Sequence, residues 1–138
     1  MDIKKLQKLL IKHEGVRSKI YQDSLGFWTI GVGRNLTSKG ISTATINQML
    51  IEDTADTINF LNSNLPWWTE LDDVRQIALA DMTFNLMGRI LGFKDMLTAL
   101  KAKEWDKAAD ELLDSMFAHQ VGQRAKDLAF MIRTGQDA

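Results

Sequence analysis

Between residues 3 and 10 apolar side chains recur every three or four positions (Ile3, Leu6, Leu9, Leu10) and lysines fill the gaps between them. This spacing predicts an amphipathic helix over 2–13, capped by Asp2 and stopped near Gly15. The period then changes. Stretches 17–21 and 27–32 carry the β-branched and aromatic residues of strands (Ile20, Tyr21; Phe27, Trp28, Thr29, Ile30, Val32). Asp23-Ser24-Leu25-Gly26 between them has the composition of a turn, with glycine where a positive φ is easiest. Gly31 and Gly33 flank Val32, which predicts a bend or a close backbone approach instead of a long flat strand.

Helical spacing returns after Lys39-Gly40 and holds to the end. Ser42 is a good N-cap, and Ile46, Met49, Leu50, Ile58 and Leu61 form an apolar stripe to about Asn62. Asp53 falls three and four residues from members of that stripe, which puts an acid on or beside its inward face. Pro66, the only proline, suits the first turn of a short helix holding Trp67, Trp68 and Leu71. A strongly apolar helix is expected over 72–87, and further helices over 93–100, 105–113 and 124–133, the last stopped by Gly135. The fold class is α+β and mostly α-helical. A single domain over 1–138 is expected, with a small antiparallel β-hairpin in 13–41 and a long connecting helix over 42–62. Residues 1–12 and 65–138 are read as the helical part.

Composition narrows the choice of chemistry. The net charge is −1, so no basic field recommends a nucleic-acid partner. With no cysteine and only His13 and His119, neither a disulfide framework nor a thiolate or histidine-rich metal site is expected, and no cofactor is called for. Lysines interrupt the first twelve residues, which lack an apolar core and a small-residue cleavage site, so no secretory signal is read there. No run approaches the roughly 20 apolar residues of a membrane span. The expectation is a monomer without stable membrane association.

Two acids stand out, Glu14 at the carboxyl end of the first helix and Asp23 in the hairpin turn. At a helix carboxyl end the macrodipole opposes a further negative charge, which suits a proton donor. A polar, wet turn suits an anion. Two carboxyl groups in unlike surroundings are what glycoside hydrolysis requires. Each acid alone also has a plain structural reading, as a helix-end glutamate or a turn aspartate.

The spacing Glu14, eight residues, Asp23, five residues, Thr29 resembles the active-site pattern of the bacteriophage-type lysozymes, glycoside hydrolase family 24. Lys19-Ile20-Tyr21, Thr29-Ile30-Gly31-Val32-Gly33, Phe84-Asn85, Trp105-Asp106, Arg124-Ala125-Lys126 and Arg133-Thr134-Gly135 continue the likeness in order along the chain. The resemblance implies a two-lobed lysozyme-like fold and a muramidase whose partner is bacterial peptidoglycan. It would cut the β-1,4 bond between N-acetylmuramic acid and N-acetylglucosamine. Glu14 would be the general acid, Asp23 the base or electrostatic partner, and Thr29 the holder of the attacking water. Inversion is implied, with carboxyl groups about 6.5–9.5 Å apart. Arg124 matches an arginine that pairs with the catalytic glutamate. Gly33, Asn35, Asn85, Phe117 and Gln120 match substrate contacts, and Phe84 is read either as such a contact or as plain core. The resemblance also implies a protein made in the host cytoplasm that meets the wall at lysis, or one carried in the virion.

The chain departs from the family pattern in two places. Arg34 stands where relatives have a histidine that pairs with an aspartate, matched here by Asp53, so an Arg34–Asp53 ion pair is expected. The loop over 37–41 is short, as is the carboxyl end at Ala138, and a shorter β lobe is expected to leave the cleft more open.

Overall fold

The computed structural model describes residues 1–138 and contains eight α-helices and one three-stranded sheet. It resolves into two compact units, Met1–Met49 and Leu50–Ala138, with the boundary inside one long helix.

The first unit opens with α1 (Ile3–Glu14). The Asp2 side chain accepts from the Lys5 N–H, and Gly15 at φ 76° ends the helix by donating to the Ile11 carbonyl. Strands β1 (Arg17–Gln22), β2 (Trp28–Gly31) and β3 (Arg34–Asn35) follow as an antiparallel meander, with Tyr21 opposite Thr29 and Thr29 opposite Asn35. The register shifts between Arg17 and Tyr21, a bulge that bends β1. The third strand and the single turn α2 (Leu36–Lys39) lie where a plain loop was expected. A two-residue strand has too few side chains to show a period of two, and Asn35 looked like a loop residue because it caps α2 through the Ser38 N–H. α1 belongs to this unit.

Helix α3 (Thr43–Asn64) starts on Ser42, whose hydroxyl accepts from the Thr45 N–H. In the second unit Pro66–Glu70 forms a 3₁₀ turn, and α4 (Asp73–Leu86) runs on from Asp72 as N-cap. A second 3₁₀ stretch, Met87–Gly92, leads to α5 (Lys94–Lys101), α6 (Trp105–Leu113), α7 (Met116–Val121) and α8 (Gln123–Thr134). Every buried residue of the apolar core lies between Leu61 and Ile132. α5 and α8 pack on α6, and α4 and α7 on α8. The short helix α7 was absent from the sequence reading because six residues hold less than two helical periods.

Arg75 ties this unit together. Its Nε donates to the Ile132 carbonyl at 2.6 Å and another guanidinium nitrogen to the Arg133 carbonyl at 3.2 Å, both at the end of α8. The same group reaches Asp72 at 3.0 Å and lies over the Trp105 ring at 3.9 Å. Burial alone would push the Asp72 carboxyl up, but the Arg75 guanidinium and backbone N–H outweigh it and hold it below its ordinary value. Gly135 (φ 70°) ends α8, and a methyl group there would stand 2.8 Å from the guanidinium. Arg75→Ala strips two helix-end carbonyls of a charged donor and uncovers Trp105, and is expected to cost about 2–4 kcal/mol in denaturant unfolding. Arg75→Lys should recover little of that, since one ammonium cannot span the fork.

Candidate active site

Glu14 is the last residue of α1, so the helix axis and the sharp exit at Gly15 fix where its side chain leaves the backbone. The side chain is exposed, and its terminal atoms occupy the space a side chain on Gly33, the residue before β3, would need. The close backbone approach expected from the paired glycines is therefore present, and it is made to the acid.

Asp23 sits in the β1–β2 turn, where one of its carboxylate oxygens, Oδ1, accepts from both the Leu25 and the Phe27 N–H at 2.9 Å. Its own N–H donates to the Phe27 carbonyl, also at 2.9 Å. Two backbone donors on one oxygen lock the carboxylate and leave Oδ2 free for chemistry. Thr29, two residues after Phe27 on β2, is 3% exposed and is the one buried residue of the first unit. Its hydroxyl donates to the same Phe27 carbonyl at 2.9 Å. One backbone oxygen thus holds both Asp23 and Thr29, and the Thr29 Oγ1, its proton engaged, can only accept from a further group. That carbonyl carries no side-chain signature, so the sequence could not have pointed to it.

Asn35 spends its side-chain oxygen on capping α2, which leaves its amide nitrogen as the free end. The Arg34 Nε donates to the Gly40 carbonyl at 2.9 Å, a helix-end acceptor in the same unit, while Asp53 is exposed on α3 in the other. Arg124 has Asp81 as its partner: Nε to Oδ1 at 2.8 Å, and a second guanidinium nitrogen to the Asp81 carbonyl at 2.9 Å. The sequence pattern does not single out Asp81, which lies inside an apolar helix. The signal that could have found it is an acid in the midst of Ala78, Leu79, Ala80 and Met82. Packing of α4 on α8 brings it to Arg124.

Phe84 is 41% exposed and lines an open groove of about 430 Å³ with Leu50, Ile58, Ile77 and Ala80, which removes the reading of Phe84 as core. Asn85, His119 and Gln120 are exposed. Phe117 corrects an expectation. It is 2% exposed and meets Phe93 edge to face with centroids 6.3 Å apart, so its ring is core packing and offers no surface to a sugar.

Residues 11–130 match the family model described as phage lysozyme. The chain belongs to the phage lysozyme family. The pre-baseplate central spike protein of Enterobacteria phage T4 is 29% identical over 94% of this chain, which spans only 28% of that protein's length. Two probable T4-type lysozymes of Dictyostelium discoideum are 25% and 24% identical over 96% of each chain. The fold of this phage lysozyme family member is mostly helical with a small antiparallel sheet, as its sequence predicts.

The Asp23 geometry has a direct check. In Asp23→Ala the Leu25 and Phe27 amides lose their acceptor and should exchange with solvent about tenfold faster, whereas Asp23→Asn keeps an oxygen in place and should leave both rates near wild type.

Proposed function

We propose that this protein is a lysozyme-type muramidase that hydrolyses the β-1,4 bond between N-acetylmuramic acid and N-acetylglucosamine in peptidoglycan. Family membership and the T4-type lysozyme relatives support that class of activity. The observation that carries the mechanism is the single Phe27 carbonyl joining Asp23 and Thr29, with Glu14 held nearby in sequence order on the same unit.

In this reading Glu14 gives its proton to the glycosidic oxygen as the bond to the anomeric carbon breaks. A water attacks that carbon from the opposite face and surrenders a proton to Asp23. Thr29 orients the water, since its Oγ1 offers only lone pairs and must receive one of the water's hydrogens. One displacement by water inverts the anomeric centre. Glu14 ends as carboxylate and Asp23 as acid, and exchange with solvent resets both. Arg124, its charge shared with Asp81, is a supporting cation, and Asn85 offers the donor and acceptor that match an N-acetyl group.

The setting we infer is wall breakdown during cell lysis by a phage or prophage. The spike relative favours a second setting for the same chemistry, in the particle itself. An immunoblot of purified particles separates the two.

The test is release of reducing ends from purified sacculi. Glu14→Gln and Asp23→Asn should each lower the rate by about 10²–10⁴-fold without unfolding the protein. Equal clearing by wild type and Glu14→Gln would overturn the assignment of the acid, and sedimentation with sacculi without cleavage would make the protein a binding module. Proton NMR during turnover should show the α-anomer of the new reducing end first.

A further inference from the structure

Five glycines of the first unit have positive φ, namely Gly15, Gly26, Gly31, Gly33 and Gly40. At four of them a side chain would meet open space. Gly33 differs. A Cβ built on it would stand 2.8 Å from Glu14 Oε2, 2.9 Å from Cδ and 3.1 Å from Cγ. Non-bonded carbon atoms attract best at about 3.5–4.0 Å, so a methyl group and the carboxyl group cannot share that space. The atoms in the way are the end of an exposed, flexible side chain, so the acid would yield and the backbone would not.

The position of Gly33 is itself fixed. Ile30 pairs with Arg34 across the β2–β3 turn, so Gly31, Val32 and Gly33 span a tight connection closed by the sheet on both sides. The sheet therefore presents a bare Cα at a set place, and the Glu14 carboxyl group fills the missing side-chain volume.

We propose that Gly33 is a positioning residue that seats the Glu14 carboxyl group, acting through its lack of a side chain and not by contact with substrate. The inference rests on the reading of Glu14 as the general acid. A proton donor must lie within about 2.6–3.2 Å of its acceptor, and a misplacement of about 1 Å can cost about 10²-fold in rate.

The experiment compares Gly33→Ala with Gly40→Ala in the full chain. Gly40 has nearly the same φ, 61° against 60°, in the same unit, and nothing within 4 Å of an added Cβ. The control therefore shares a positive φ and lacks the clash with Glu14. Gly33→Ala should lower kcat on sacculi fragments by about 10²-fold with KM within about threefold, while Gly40→Ala stays within about threefold of wild type in both. The ¹³C shift of the Glu14 carboxyl should move in Gly33→Ala alone. Equal losses in the two variants would overturn the proposal, as would unfolding of Gly33→Ala beside a folded Gly40→Ala. In the wild-type protein a nuclear Overhauser contact between the Gly33 α-protons and the Glu14 γ-protons is expected, and its absence overturns the proposal even where neither variant folds. Should wild type fail to cleave sacculi while that contact is present, the seat stands and the muramidase reading falls.

Discussion

A carbonyl oxygen has two lone pairs, and that of Phe27 uses both inside the protein. One receives the Asp23 N–H and the other the Thr29 hydroxyl, each at 2.9 Å, while the Phe27 N–H returns a bond to the Asp23 carboxylate. Three hydrogen bonds at one residue thereby fix a carboxyl group and a hydroxyl to the same strand end. The Asp23 carboxylate is held through the Phe27 N–H and the Thr29 hydroxyl through the Phe27 carbonyl, so both side chains are tied to one residue. The proposed water site has two of its corners set by a single backbone unit, and such rigidity is what preorganised catalysis requires.

The second unit is built on different physics. Its core runs through Leu79, Met82, Ile90, Leu100, Leu112 and Ile132, all almost fully buried, and its polar content is confined to groups that satisfy themselves. Thr83 is fully buried yet donates to the Leu79 carbonyl one turn back, and the Trp68 indole finds Asn62 at 2.8 Å. No buried side-chain polar atom is left without a partner. Arg75 adds a cation whose fork, stacking face and charge are all engaged.

Much of this was legible in the sequence where one signal is strong and local. Asp2 and Ser42 begin helices and Gly15 and Gly135 end them, because caps act over three or four residues. The regular spacing of Glu14, Asp23 and Thr29 stands in the sequence itself, and the bend at Gly31-Val32-Gly33 is legible through its glycines. Residues whose role depends on distant partners were not. Phe117 looks like any aromatic residue until Phe93 closes on it, and Asp81 looks like a stray acid until α8 delivers Arg124. The Gly40 carbonyl that accepts from Arg34 Nε is a backbone group and carries no side-chain signal either.

The distribution of the core has a consequence for which part of the molecule gives way first. All the buried apolar residues of the core belong to residues 61–132, whereas Glu14, Asp23 and Thr29 are carried by a unit whose sole buried member is a threonine. Opening that unit uncovers almost no new apolar surface, so little resists it beyond its sheet and turn hydrogen bonds. Local breathing is therefore concentrated where those three side chains sit, in the part of the chain with the least interior to lose.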